Sequence, residues 1–472
     1  MTSAQMQEKK TQPAARTAWS SVISVAAVAA AASIQQSAVL PLLGRLQAAL
    51  AAPLVTVAWA FTISLLVGAV ATPLLGRMGD MYGRRRVLLF TMVALVAGSV
   101  LGAYATTVST LIAARILQGI SMATLPLAIG IVRDALPPAK LATGLGIVSA
   151  TGGIGVGGGL VLAGVIAGHT TGYRAVFWAI AAIAAITALF AALTVRDQAV
   201  PRRERLDLPG AVLLGGALVC LLLAIGKASS WGWTSASVLG LAAGAIVLAI
   251  GWLLVERRSA APLVDIRMLT HRGTVGASVC GFLIGFALYG GFTLIPNFVQ
   301  APPQAEYGFS ASVLQAGLFL LPTTLLMIAV STQAGRLMRR YSASALVAAG
   351  SALTALSCLW ITLAHEHRHD IYITTTVLGI GIGLAFAALG TMAVEHVDPG
   401  QTAIASAVNS LLRLVGGAIA AAATAAVLAG DTIASTTIPT EHAYQVGFAM
   451  AGAGAALAAI AALVYSRRQR ER

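Results

Sequence analysis

The sequence predicts an all-α polytopic membrane protein, and three observations lead to this fold class. Apolar residues make up 58% of the 472 positions and charged residues make up 10%, whereas soluble domains carry about a quarter of charged residues. The mean hydropathy is +0.86. Long apolar runs recur along the chain, and a helix of about 20 such residues spans the hydrocarbon core. The alternating segments of about ten residues that form a membrane β-barrel are missing from the sequence.

Fourteen apolar segments can be placed in order as transmembrane helices. Their Ala, Gly and Leu content favours helices that pack closely in lipid. Because the number is even, both termini are expected on the same side of the membrane. The segments lie near residues 17–43, 53–75, 86–106, 109–132, 141–168, 174–195, 207–226, 234–255, 273–299, 312–335, 342–364, 371–394, 402–430 and 443–466.

The basic residues predict which side of the membrane each loop faces. Alternate loops and the two termini hold 24 of the 30 Lys and Arg residues, and the other loops hold Arg45, Arg174, Lys227 and Arg368. Lys and Arg accumulate in cytoplasmic loops, so both termini are expected in the cytoplasm and the protein in the cytoplasmic membrane. The same bias accounts for the formal net charge of +14, and no nucleic-acid partner is expected.

Two loops carry similar sequences and predict an internal repeat. "GRMGDMYGRRR" (76–86) follows the second segment, and "GRLMRRY" (335–341) follows the tenth. Two six-helix halves with substrate between them form one large transporter class. The alternative is that any tight cytoplasmic loop is rich in Gly and Arg. The repeat divides the chain into an N-terminal tail (1–16), a six-helix bundle (17–195), a two-helix linker (196–272), a second six-helix bundle (273–466) and a tail (467–472).

Several motifs, in this order along the chain, resemble the fourteen-helix drug:proton antiporter branch of the major facilitator superfamily. They are "GRMGDMYGRRR" in loop 2, "RILQGISMA" (115–123), "YRAVFWAIA" (173–181), "LDLPGAVLL" (206–214), "SSWGW" (229–233), "PNFVQ" (296–300) and "QTAIASAVNSLLRLVGGAIA" (401–420). The resemblance implies a 6 + 2 + 6 helix fold and export of small amphiphilic compounds, such as drugs or antibiotics, by alternating access driven by the proton gradient. It implies a transporter and not an enzyme.

Two departures from the family pattern bear on proton coupling. Ala32 stands where the branch carries an aspartate in its first span, and Ile154 stands where the fifth span carries a proline. A proton-independent facilitator, or an exporter dedicated to a single metabolite, is therefore the alternative among transporters. A membrane sensor or scaffold on a transporter fold is the alternative from another class.

Loop 2 (residues 76–86) concentrates charge in a chain that otherwise avoids it. Three consecutive arginines, spaced glycines and one aspartate exceed what topology requires. The aspartate can accept hydrogen bonds from a helix N-terminus or pair with arginine, closing the cytoplasmic side in one state and releasing it in another. We therefore expect a conformational latch made of Gly76, Arg77, Gly79, Asp80, Gly83, Arg84 and Arg85.

Further candidate residues lie within or beside the spans. Arg115 is a charge inside an apolar run, where charges are costly and functional, and the resemblance assigns proton relay or gating to Arg115, Gln118 and Gly119. Glu395 is the acidic candidate for the same relay, because titratable groups cluster at functional sites. The fifth span is expected to pack closely or to hinge at Gly153, Gly155, Gly157 and Gly158.

Polar and aromatic residues within spans are the candidates for contact with an amphiphilic substrate, because such pockets are apolar with a few polar groups. They are Gln35, Gln36, Trp59, Asn297, Gln300, Asn409 and Arg413. The outer loop "HEHRHD" (365–370) is short and polar, and no metal is expected there. We expect no cofactor, and as partners a small-molecule substrate, protons and the lipid bilayer, with the chain acting as a monomer.

Overall fold

The computed structural model describes residues 3–170, 172–195, 207–259, 262, 274–395, 402–434 and 436–470. The side chains of Asp80 and Ile154, and the surroundings of Gly153, lie outside the described part. Within it the regular structure is helical apart from one isolated β-bridge between Thr432 and Pro439. The predicted all-α class is confirmed.

Sixteen α-helices are described, eight before residue 196 and eight after it. The first eight are α1 (Ser3–Ala38), α2 (Leu43–Leu50), α3 (Leu54–Tyr82), α4 (Arg84–Ala103), α5 (Val108–Ile120), α6 (Thr124–Ala135), α7 (Pro138–His169) and α8 (Arg174–Thr194). The others are α9 (Leu208–Trp231), α10 (Ala236–Arg258), α11 (Val275–Val299), α12 (Val313–Leu337), α13 (Ala343–Leu363), α14 (Arg368–Val394), α15 (Thr402–Gly430) and α16 (Glu441–Arg470).

Thirteen segments of the described chain are long and apolar enough to cross a membrane. Two of them are interrupted helices, α1 with α2 and α5 with α6. A short 3₁₀ turn separates each pair, at Leu40–Leu42 and at Ser121–Ala123. Pro41 lies in the first of these turns and Pro126 lies in the first turn of α6, just after the second; proline removes a backbone donor and clashes with the preceding turn. A fourteenth membrane-spanning segment would be α7, whose described apolar part is the shorter stretch Gly157–His169. The number of fourteen spans therefore stays a prediction.

One end of the first bundle is defined by side chains that join several helix termini. Ser21 of α1 donates to the carbonyl of Thr194 in α8 at 3.0 Å, and loop 2 joins α3 to α4 in the same region through the contact of Arg85 with Ala192. We call this the loop-2 end. At the other end of the molecule, His365 contacts Glu441, which joins the end of α13 to the start of α16.

An aromatic cluster packs at this opposite end. Phe298 stacks on Tyr307 with 5.5 Å between ring centroids and meets Tyr444 edge-on at 5.4 Å. Burial, together with nearby Glu441, raises the pKa of Tyr307 to about 12. Its hydroxyl therefore stays protonated and donates to the carbonyl of Pro439 at 2.6 Å. The cluster closes the end of the second bundle.

The two bundles meet along two helix pairs, α3 with α15 and α7 with α12. Small residues permit the close approach of α7 and α12. A Cβ atom on Gly164 would lie 2.7 Å from the Cα of Leu314, and one on Gly317 would lie 2.9 Å from the carbonyl oxygen of Leu160. These contacts lie toward the opposite end, because Gly164 is near the end of α7 and Leu314 near the start of α12.

The apolar core is divided in a way that relates the bundles to each other. One cluster lies almost entirely in the first bundle, and a second lies in α11, α13, α14 and α16 near the loop-2 end. A third cluster joins the bundles, for example through Phe61 and Leu65 with Phe292 and Phe319. Most of its members come from the helix halves at the opposite end, so the bundles are sealed to each other there.

The linker helices lie at the edge of this arrangement. Helix α9 packs against α3 and α15, whereas α10 packs mainly against α9. In the most apolar stretch of α10, 17% of the residues are buried, against 72% in α11. Helix α10 therefore presents most of its apolar surface outward, as a lipid-facing helix does.

Candidate functional site

A hydrogen-bonded network surrounds Arg115, which is fully buried in α5. Its Nε donates to the carbonyl of Ala60 at 3.0 Å, and its two terminal nitrogens donate to Ser64 Oγ at 2.9 Å and to Gln118 Oε1 at 2.6 Å. These acceptors are all neutral. The guanidinium is thus held by polar groups of α3 and α5, which is how a charge inside a membrane bundle is made tolerable.

The network continues to α4 and α1 through Gln118. Gln118 Nε2 donates to Ser99 Oγ at 2.9 Å, and Gln35 Nε2 donates to Gln118 Oε1 at 3.3 Å. Gln35 is buried, and its Oε1 has no hydrogen-bond partner in the described structure. Gly119 permits this packing, since a Cβ there would lie 2.7 Å from the carbonyl oxygen of Ser64. Sequence reasoning grouped Arg115, Gln118 and Gly119, and the structure places Gln35 with them.

A second polar group lies on the surface between the two bundles. Gln36 of α1 donates through Nε2 to the hydroxyl of Tyr289 in α11 at 3.1 Å, which connects the first bundle to the second. The Tyr289 ring lies 6.3 Å from that of Phe61. On α15, the guanidinium carbon of Arg413 lies 4.3 Å from the ring centre of Phe386. We call Gln36, Phe61, Tyr289, Phe386 and Arg413 the Arg413 site.

Two features show that these side chains share one space. Gly417, one helical turn after Arg413, leaves room for the Tyr289 ring, which a Cβ at that position would meet. Gln36, Tyr289, Phe386 and Arg413 are all partly exposed, although each belongs to the middle part of its helix or to a contact between bundles. Partly exposed polar side chains that contact one another across the bundles line an internal space rather than the lipid surface.

Three members of this site, Phe61, Tyr289 and Phe386, were missed from the sequence. Tyr289 is the one tyrosine in the chain that lies far from both ends of a described helix, and this was a signal available in the sequence. Phe61 and Phe386 had no such signal, because apolar aromatic residues are frequent in membrane helices.

The other substrate candidates are not brought to this space. Trp59 packs on α9, where a Cβ on Gly226 would lie 3.0 Å from its ring. Asn297 and Gln300 donate their amides to carbonyls of their own helix, at 2.6 Å and 2.8 Å. Asn409 is buried and donates to the carbonyl of Ala277 at 2.7 Å, which joins α15 to α11. In this arrangement these four side chains contact protein groups.

The arginines of loop 2 are anchored on the helices around them. Arg84 pairs with Asp134 at 2.5 Å and donates to the carbonyl of Gly130 at 3.1 Å. Arg85 donates to the carbonyl of Ala192 at 2.7 Å. Arg77 donates to the carbonyl of Pro262, in the linker, at 2.5 Å. These bonds tie loop 2 to α6, to α8 and to the linker.

The glycines of loop 2 allow its turn. Gly83 has φ = +100°, a conformation that side chains disfavour. A Cβ on Gly79 would lie 2.5 Å from the Leu127 side chain, whereas one on Gly76 would have no atom within 4 Å. The role of Asp80 stays a prediction, because its side chain is outside the described part.

The glycines of α7 lie where this helix crosses its neighbours. A Cβ on Gly155 would lie 2.9 Å from the carbonyl oxygen of Ala30 in α1, and one on Gly157 would overlap the side chain of Thr324 in α12. Gly158 is exposed, and the nearest atom to its Cβ position, in Ile34, is 3.8 Å away. Gly155 thus brings α7 close to α1 in its own bundle, and Gly157 brings it close to α12 in the other bundle.

Two polar features at helix ends are separate from both sites. Glu395 follows the last residue of α14 and is exposed. In the outer loop, ligand atoms of His367, His369 and Asp370 lie within 4.8 Å of one another, while His365 contacts Glu441 instead. The His-Glu-x-x-His letters therefore do not place their two histidines as a zinc protease helix would.

An all-helical membrane protein of this kind, with two bundles in contact around a polar site remote from either end of the helices, is a membrane transporter. Residues 25–421 match the family model of the Major Facilitator Superfamily, and the chain belongs to this superfamily.

Characterised relatives are exporters of antibiotics and other drugs. The chain is 30% identical over 385 residues to the tetracenomycin C resistance and export protein of Streptomyces glaucescens, covering 80% of this chain and 70% of that one. It is 28% identical over 366 residues (76% and 70%) to multidrug resistance protein 3 of Bacillus subtilis strain 168. It is 32% identical over 400 residues (82% and 80%) to the cephamycin export protein CmcT of Amycolatopsis lactamdurans. The expected resemblance is confirmed, and these relatives are transporters rather than enzymes.

Solved transporter structures share the fold. A crystal structure of the peptide transporter POT in complex with sulfate superposes with a TM-score of 0.69 at 15% identity, covering 96% of this chain and 94% of that one. A partially occluded inward-open structure of the xylose transporter XylE from E. coli gives 0.64 at 12% identity, covering 94% and 97%.

Proposed function

We propose that this protein exports small amphiphilic compounds, antibiotics or related metabolites among them, across the cytoplasmic membrane by alternating access. The observation that carries the proposal is the Arg413 site, a partly exposed polar and aromatic surface between two bundles that are sealed at one end. The relatives named as resistance and export proteins support the substrate class and the outward direction.

The proposal includes fourteen spans, with α7 as the fifth, and both termini in the cytoplasm. The loop-2 end is then cytoplasmic, which agrees with its arginines. The seal formed by Phe61 and Phe292 with their neighbours then faces the exterior. Export follows when the α7–α12 contact loosens at the outer end and the bundles close around loop 2.

Proton antiport is the proposed source of energy, with the Arg115 network as the relay. Arg115, Gln118 and Gln35 form a continuous chain of polar groups from α3 to α1. The members of this chain do not titrate, so a proton would pass along it through water, and a change in its hydration would alter the packing of α1, on which α7 lies. Glu395 stays the acidic candidate at the cytoplasmic end, where water can reach it.

Everted membrane vesicles test this proposal. Vesicles carrying the full chain, with an imposed inside-acid pH gradient, should take up tetracenomycin C and lose part of the gradient when the compound is added. Vesicles without the protein serve as the control. A gradient unaffected by every compound of a panel of dyes and antibiotics, with the protein present in the membrane, contradicts antiport.

The alternative is a proton-independent facilitator, which Ala32 favours because this position lacks the aspartate of the family pattern. The same vesicles separate the two functions. After an uncoupler collapses the gradient, an antiporter stops concentrating its substrate, whereas a facilitator continues to equilibrate it at the same rate.

A further inference from the structure

Arg413 is a positive charge at depth whose guanidinium has an aromatic neighbour but no acceptor among the described residues. It lies about 16 Å along α15 from Thr402, too far for its side chain to reach that end of the helix. It lies 4.3 Å from the ring centre of Phe386 and interacts electrostatically with Tyr289. None of the hydrogen bonds described for the protein involves its guanidinium, which carries five N–H donors. The group is partly exposed, so it faces the internal space.

By their positions in the sequence, the acidic residues of the chain avoid the interior of the spans. All 16 lie outside the membrane-spanning segments or within two residues of a segment end. Arg115, the other arginine at depth, differs because its donors are occupied by Ala60, Ser64 and Gln118. Among the described residues, the Arg413 charge in the space between the bundles has no carboxylate partner, so it attracts anions and repels cations in a region of low dielectric constant.

Tyr289 adds a second donor to the same space. Its oxygen accepts the hydrogen bond from Gln36, which leaves its O–H available to donate. Phe386 supplies a partly exposed aromatic ring beside Arg413, and the buried ring of Phe61 packs near Tyr289 from behind. A planar guanidinium matches a carboxylate through two parallel hydrogen bonds, and aromatic rings stack on one another with offset or edge contacts. Donors and rings are thus combined in a surface with few acceptors.

We propose that the substrates of this transporter are aromatic anions, with a carboxylate or phenolate bound by Arg413 and Tyr289 and the ring packed beside Phe386. This inference rests on the proposed export function and specifies its substrate class. Because Gln36 and Tyr289 come from different bundles, an anion bound to Tyr289 contacts the seam that must rearrange during transport.

A matched set of small probes tests the charge requirement on the purified full-length protein. 2-Naphthoate carries the carboxylate, 2-naphthamide has the same ring and shape without charge, and 2-naphthylmethylammonium carries the opposite charge. Isothermal titration calorimetry is expected to give at least about tenfold tighter binding for naphthoate than for the amide, and no binding of the ammonium compound. Equal affinities for acid and amide, or no saturable binding of naphthoate, overturn the proposal.

Variants of Arg413 test which group provides that preference. Arg413→Gln is expected to weaken naphthoate binding by about 10- to 100-fold and to leave naphthamide binding within about twofold, which also shows that the variant is folded. Arg413→Lys keeps the charge and should retain part of the preference. Arg339→Gln removes an exposed arginine elsewhere and is the matched control. Unchanged naphthoate binding by Arg413→Gln contradicts the assignment.

Transport separates this inference from the proposed function. In everted vesicles, gradient-driven uptake of naphthoate but not of the ammonium probe supports both. Uptake restricted to neutral or cationic compounds overturns the anionic substrate class and leaves export in place. Binding of naphthoate by the purified protein, with no transport of any compound, supports the site and contradicts the exporter.

Discussion

Replacement of Arg115 by Met is expected to leave stability almost unchanged while abolishing transport. The change removes three hydrogen bonds, to Ala60, Ser64 and Gln118. At about 0.6 kcal/mol for an average bond inside a membrane bundle, their loss costs about 2 kcal/mol. Removing a charge from the middle of a span relieves about 2.5–3.5 kcal/mol on insertion scales. The two effects nearly cancel, so a loss of export would report on function rather than on folding.

The assay can use the buried cysteines of the protein. Cys280 and Cys358 are buried, so a thiol-reactive dye labels them on unfolding and reports the midpoint temperature. Arg115→Met should unfold within a few degrees of wild type, insert normally into the membrane and export at least tenfold more slowly. Arg339→Met, at an exposed position, is the matched control.

A second variant tests the same reasoning by removing an acceptor of Arg115 instead of its charge. Gln118→Leu keeps the Arg115 charge and removes an acceptor, and an uncompensated buried charge is strongly destabilising. It should therefore unfold at a lower temperature than Arg115→Met. Wild-type export by Arg115→Met, or a failure of that variant to fold while Gln118→Leu remains stable, would refute the argument.

Three further predictions concern contacts between helices. Gly157→Ala is expected to slow export and lower the unfolding temperature, because the added Cβ overlaps Thr324 and overpacking typically costs about 1–3 kcal/mol. Gly158→Ala is the control and should match wild type in both assays, because the space around its Cβ position is open. Asn409→Leu should lower stability by about 1–2 kcal/mol, because the hydrogen bond to Ala277 is lost. The order of preference among substrates should stay the same, and a changed order would show that Asn409 contacts the substrate. A double-mutant cycle with Arg84→Gln and Asp134→Asn should give a coupling below about 1 kcal/mol, because both side chains are about a quarter to a third exposed, and a larger value would mark a stronger latch.

The fold was predictable because it depends on properties that a sequence displays directly. Apolar run length and the distribution of basic residues set the spans, and the order of the motifs pointed to the superfamily. The interruptions at Pro41 and Pro126 were overlooked, because a proline inside an apolar run changes the helix geometry without changing its hydropathy. The sealing of the bundles at one end could not be predicted from the sequence either, because it depends on which apolar helix faces meet.

The candidate site was predictable in part, for a geometrical reason. Gln35 and Gln36 are adjacent and have the same chemistry, yet one is buried beside Gln118 and the other reaches Tyr289. Successive residues on a helix point about 100° apart, so the choice between the two depends on the rotation of α1 in the bundle. Hydropathy carries no information about that rotation in a span that is apolar on all sides.

Arg115 and Arg413 show the same limit for charge. In the sequence each is a single arginine inside an apolar run, and the cost of burial applies equally to both. The structure distinguishes them by their acceptors: Ala60, Ser64 and Gln118 occupy the donors of Arg115, whereas Arg413 faces Phe386 and a space between the bundles. A charge whose donors are occupied by the protein can hold helices together or transmit a change between them. A charge with unoccupied donors can bind something that arrives and leaves, which is what a transporter requires of its substrate site.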